Sequence, residues 1–115
     1  MLKITFFKEK DFIKSFKIEG HADFAEHGYD IVCAAVSSLS DTTLQSLIYH
    51  IGEKSIEYSR KSGYVNAKLL KGLSDKQMHD SKVILMTFMI GIRGISEAYP
   101  NYVKLLTKEV QRNDV

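Results

Sequence analysis

The only cysteine in the chain, Cys33, stands in a segment, residues 20–37, that also holds two of the four histidines, His21 and His27. The same segment carries an acid three residues before the thiol, Asp30, and two glycines, Gly20 and Gly28. A thiol attacks a carbonyl only as its thiolate, and with an unperturbed pKa of roughly 8.5 only a few per cent is ionised at neutral pH. An apolar-led run over residues 31–39 follows Asp30, so Asp30 reads as a helix N-cap and Cys33 falls in the first helical turn. Unpaired backbone N–H groups there favour the anion. A helix terminus supplies about 0.3–1 kcal/mol, whereas one unit of pKa requires about 1.4 kcal/mol. Helix position alone falls short, and a general base is required.

His21 is the better base, because Gly20 beside it lets the backbone approach closely; His27 is the reserve. A separation of twelve positions between His21 and Cys33 closes at modest entropic cost. Glycines at Gly20 and Gly28 suit a segment that moves over a substrate. Each residue also has an ordinary reading. A cysteine before Ala34, Ala35 and Val36 has the surroundings of a small buried hydrophobe, His21 and His27 those of hydrogen-bonded loop residues, and Asp30 as a cap needs no catalytic role. A metal site on His21, His27, Asp30 and Cys33 would need a His-x5-His-x5-Cys arrangement, which is not a usual zinc spacing, and no second thiol is present. No metal and no cofactor are expected.

The elements that must position these groups follow from periodicity. Leu2, Ile4 and Phe6 alternate with Lys3 and Thr5, a strand; residues 13–19 form a second, with Phe16 and Ile18 on one face and Ser15, Lys17 and Glu19 on the other. This hairpin delivers the chain to Gly20 and His21, a rigid attachment for a base. Helical spacing runs over residues 31–58, with Val36, Leu39, Thr43, Leu47, Ile48 and Ile51 on one side and Gly52 as an end or kink. A third strand covers residues 64–70. Ser74 and Gln77 have the form of a capping box for a helix over residues 75–98, with Met78, Leu85, Phe88, Met89, Ile92 and Ile95 on its main buried side. Further apolar residues, Val83, Ile84, Met86 and Ile90, spread around that helix, so more of the domain or a second subunit should cover it. Pro100 stops it, and residues 102–110 read as a last strand. The order ββαβαβ predicts a single α+β domain over residues 1–115, two helices packed on a small mixed sheet.

Composition bounds the rest. The chain has 115 residues, 44% of them hydrophobic, enough for one core, and its net charge of +2 comes from interspersed acids and bases. No basic face declares itself, so no nucleic-acid partner is expected. One cysteine excludes an internal disulfide and suits a reducing compartment, and no signal peptide or membrane span is read, so a soluble, cytoplasmic protein is expected.

The order Gly20, His21, Ala22, then Gly28, Asp30, Ile31, Val32, Cys33, Ala34, Ala35, Val36 and Ser37 resembles the signature of the ribosomal-processing cysteine proteases, the Prp family. The length and the helix-rich remainder are similar to that family from end to end. The resemblance implies a cysteine endopeptidase that removes the short N-terminal extension from the precursor of large-subunit ribosomal protein number twenty-seven. It implies Cys33 as nucleophile and His21 as general base and acid, with Gly20, Asp30 and Ser37 in supporting or substrate-binding roles. It also implies a homodimer. The reading from another class is a non-enzymatic ribosome-associated assembly factor, in which the same segment forms a peptide-binding groove.

Overall fold

Alternation at period two builds a hairpin from the first twenty residues, and its strands become the middle of the sheet. The structure, a computed structural model, describes residues 1–20 and 27–110, with the backbone alone for residues 27–30. Strand β1 (Leu2–Glu9) pairs antiparallel with β2 (Phe12–Glu19), setting Ile4 opposite Ile18 and Phe6 opposite Phe16. The register shifts between Phe7 and Lys8, so Ile13 pairs with Lys8. Unbroken alternation would put Ile13 on the face of Ser15 and Lys17; the bulge returns it to the core, where it is 2% exposed.

After helix α1 (His27–Ile51) and a 3₁₀ turn (Glu53–Ser55), strands β3 (Ile56–Lys61) and β4 (Tyr64–Leu69) form a second hairpin, followed by helix α2 (Asp75–Ala98) and strand β5 (Val103–Glu109). The sheet order is β3-β4-β2-β1-β5, with β5 parallel to β1 and the other pairs antiparallel. The expected α+β class, with two helices on a mixed sheet, is what the described residues form.

One strand is added to the expected order. The first helix was expected to reach residue 58 and instead ends at Ile51, where Gly52 turns out of it at φ +93°. Strand β3 lies at the sheet edge with only Ile56 buried, so it lacks the apolar alternation that marks a half-buried strand, and its first three residues extend the helical spacing by default.

Both helices pack on the inner sheet face. Phe88 of α2 meets Phe16 edge-on with ring centroids 4.7 Å apart and Phe6 at 5.4 Å. Val32, Val36, Leu44 and Leu47 bring α1 into the same core. The segment Ile31–Ile51 is long and apolar enough to cross a membrane by length and composition, and a third of that span is buried inside the domain. The helices touch where Gly91 faces Leu39; a Cβ at Gly91 would stand 2.6 Å from Leu39 Cδ2. Met78, expected on the buried side of α2, is 40% exposed, and the buried position near that end goes to Ser81, which donates to the Met78 carbonyl at 3.1 Å.

Gln77 ties the two helix ends together. Its Oε1 accepts from the Ser74 N–H at 2.9 Å and Ser74 Oγ accepts from its N–H at 3.1 Å, completing the capping box. Its Nε2 donates to the last carbonyl of α1, Ile51, at 2.9 Å and to Ser55 Oγ at 3.1 Å. Gln77→Ala should therefore cost about 1–2 kcal/mol, more than loss of a cap at one helix alone, measured by urea unfolding.

Candidate active site

Cys33, Ser37 and Asp41 recur at i, i+4 and i+8 and make one edge of α1, turned away from Val32 and Val36, which are 1% and 2% exposed. That edge forms a wall of a cleft of about 640 Å³. The opposite wall is the tip of the β3–β4 hairpin, Arg60 to Val65, and the floor is Leu2 and Ile18. A volume in this range is that of an ordinary ligand-binding cleft.

Cys33 is half-buried and packs against the core, so one side of the thiol is fixed and the other faces the cleft. Its place in the helix differs from expectation. Helix α1 begins at His27, three residues before Asp30, so Asp30 is not the N-cap and Cys33 lies in the second turn. Gly28, expected to loosen a loop, is inside the helix. The terminal field falls off within the first turn, so helix position offers the Cys33 thiol still less than the sequence implied. Asp30 keeps the register position of the edge that carries Cys33 and Ser37. His21 lies outside the described residues, as do the side chains of His27 and Asp30.

Gly20 closes the end of the cleft. Its φ is +115°, a Cβ there would collide with the Met1 carbonyl oxygen and lie 3.3 Å from Leu2 Cα, and its N–H donates to the Gly63 carbonyl at 3.1 Å. The last residue before His21 is thus held between the start of β1 and the β3–β4 turn, on the cleft that Cys33 also lines. Gly20→Ala should cost at least about 1–3 kcal/mol, because an L side chain is strained at this φ and meets backbone that cannot move aside. A lower melting temperature together with a lower peptidase rate is the expected result.

Two of the cleft residues that escaped the sequence reading form an ion pair. Arg60 of β3 extends its guanidinium to Asp41 of α1, Nη2 to Oδ1 at 2.8 Å, joining the two walls. Both side chains are nearly half exposed, so the pair adds at most about 1 kcal/mol to stability, and its consequence is the shape and polarity of the cleft. Asp41 was visible as the next member of the i+4 series from Cys33 and Ser37. Arg60 was not, because residues 56–58 of β3 were read as helix and residues 59–61 were given no element.

A thiol on a helix edge, opposite a fixed backbone turn and beside a cleft, is an arrangement that a thiol hydrolase requires. The family described as cysteine protease Prp matches residues 1–104, and the chain belongs to that family. It is a cysteine protease. Two curated relatives carry the name ribosomal processing cysteine protease Prp. The Bacillus subtilis protein is 26% identical over 83% of this chain and 86% of its own length. The Staphylococcus aureus protein is 28% identical over 76% of this chain and 80% of its own. Among solved structures, SMU.848 from Streptococcus mutans superposes with a TM-score of 0.76 at 27% identity, covering 96% of both chains. The S. aureus ribosomal processing protease Prp bound to a substrate peptide superposes with a TM-score of 0.79 at 21% identity, covering 94% of this chain and 100% of that one, and shares the fold.

Proposed function

We propose that this protease removes the short N-terminal extension from the precursor of large-subunit ribosomal protein number twenty-seven, using Cys33 and His21 as a catalytic dyad. The observation that carries the reading is the placement of Cys33 on the cleft edge of α1, facing the Gly20 turn from which His21 follows in sequence. His21 takes the thiol proton, the Cys33 sulfur attacks the scissile carbonyl, and His21 returns the proton to the leaving amine. Water then releases the acylated fragment and regenerates the thiol. Ser37, one turn beyond Cys33 on the same edge, and Gly20 contact the substrate backbone, and Asp30 supports the dyad from the preceding turn. The relatives' names supply the ribosomal substrate class.

The protein acts as a homodimer in the cytoplasm. The outer side of the helical layer supports a second copy as its cover: Ile31 and Tyr49 on α1 are 57% and 84% exposed, and Val83 and Ile90 on α2 are 52% and 58% exposed. Ala34, Ala35, Ser38, Thr42, Gln45, Thr87 and Gly94 complete these stripes without a charge.

Mass spectrometry of a peptide spanning the extension and the mature start, incubated with the protein, tests the substrate. Cleavage at one bond, at the junction, is the expected result. An intact peptide under conditions where Cys33 is reactive would overturn the substrate and leave the protease.

A further inference from the structure

The charges that alternate with apolar residues along the chain are sorted by the sheet onto its helix-free face. Three cross-strand rows follow from the register. The first runs Lys104, Lys3, Glu19, Tyr64, Lys61; the second Leu106, Thr5, Lys17, Asn66, Ser59; the third Lys108, Phe7, Ser15, Lys68, Glu57. Six lysines thus share the face with two glutamates, a surplus of four, while the whole chain carries a surplus of two, so the rest of the molecule is net acidic. Glu9 and Lys14, paired at 3.5 Å at the far end of the hairpin, leave that surplus unchanged.

Local pairing does not absorb it. Glu19 stands 3.7 Å from Lys3 and 3.4 Å from Lys17, a single carboxylate between two ammonium groups. Lys3 and Lys104 are direct neighbours across β1 and β5, an arrangement that like charges disfavour. Lys104 and Lys108 are exposed, and the outward positions of β5 hold no acid. Two partly buried aromatic residues, Phe7 and Tyr64, lie among the lysines, and the Lys17 ammonium sits 6.0 Å from the Phe7 ring centroid.

We propose that this sheet face binds single-stranded RNA, with its Lys61 and Tyr64 corner bordering the peptidase cleft. Five strands spaced by about 4.8 Å make a platform roughly 19 Å wide. Lysines at both margins of the platform meet the phosphates, and Phe7 and Tyr64 offer stacking surfaces to bases between them. An RNA-binding sheet and a single-strand groove combine these same features. Charge complementarity selects the occupant: a polyanion relieves the Lys3–Lys104 opposition, and the interleaved rings favour a nucleic acid over an acidic polypeptide. The sequence expectation of no nucleic-acid partner rested on interspersed charges, and period two is what separates them.

Fluorescence anisotropy with a labelled single-stranded RNA of about twelve nucleotides, titrated over salt, tests the proposal. The full-length parent should bind. Lys104→Glu with Lys108→Glu should weaken binding at least about tenfold and reduce the salt slope by roughly 1.4, as expected for two lost phosphate contacts on a single strand. Phe7→Ala should weaken binding with the salt slope unchanged. Peptide cleavage by both variants should match the parent, showing that the fold is intact. Lys54→Glu with Arg93→Glu, the same change of net charge placed off this face, should leave binding unchanged. No binding at low salt, equal loss in that control, or polyglutamate binding as tightly as RNA with no effect of Phe7→Ala would overturn it.

Discussion

Cys33→Ala is expected to lower peptide cleavage by at least about a thousandfold while leaving the fold and the cleft in place. The magnitude follows from covalent catalysis. Without the thiolate no acyl-enzyme forms, and the variant keeps only what positioning and hydrogen-bond donors supply. Structural cost should be small, since Cys33 is only half-buried and its neighbours Val32 and Val36 carry the packing of that turn. An unfolding midpoint within experimental error of the parent, with the rate lost, separates a chemical role from a structural one. Substrate affinity should persist, because the walls of the cleft, Ser37, Asp41, Arg60 and the Gly63 turn, are unchanged.

Phe88→Ala should produce the largest loss of stability, about 3–5 kcal/mol. The ring is 1% exposed and packs edge-on against Phe16 and Phe6, joining α2 to both strands of the central hairpin. Its removal deletes two aromatic contacts and opens a cavity that the hairpin cannot close without moving. Because β2 ends at Glu19, directly before Gly20, a shift of the hairpin also moves one end of the cleft. Urea unfolding measures the loss, and Phe88→Leu, which keeps most of the volume, should recover the greater part of it.

What the sequence made legible follows the strength of each periodic signal. The opening hairpin and α2 were readable because Leu2, Ile4 and Phe6 alternate cleanly and Ser74 with Gln77 marks a helix start. Edge strand β3 was hidden, since a strand with one buried residue has no inward face to announce it, and Gly52 served equally as a kink or an end. The site was legible to the same degree. Cys33, Ser37 and Gly20 line one cleft, and Asp41 was present in the i+4 pattern without being read. Arg60 depends on a pairing of β3 with β4 that no local pattern encodes. Asp30 misled as an N-cap because an acid before an apolar run has that form, while the true start at His27 precedes it by three residues. Charge was the least legible feature, because its sorting onto the sheet face is a property of register.

The central claim, that Cys33 is activated by His21, is most directly tested by the rate of iodoacetamide alkylation as a function of pH. Cys33 is the only thiol in the chain, so the reagent reports on one group. An inflection well below the ordinary thiol value of roughly 8.5 is expected in the parent, with its return toward that value in His21→Ala. Superimposable profiles for the two proteins would contradict it.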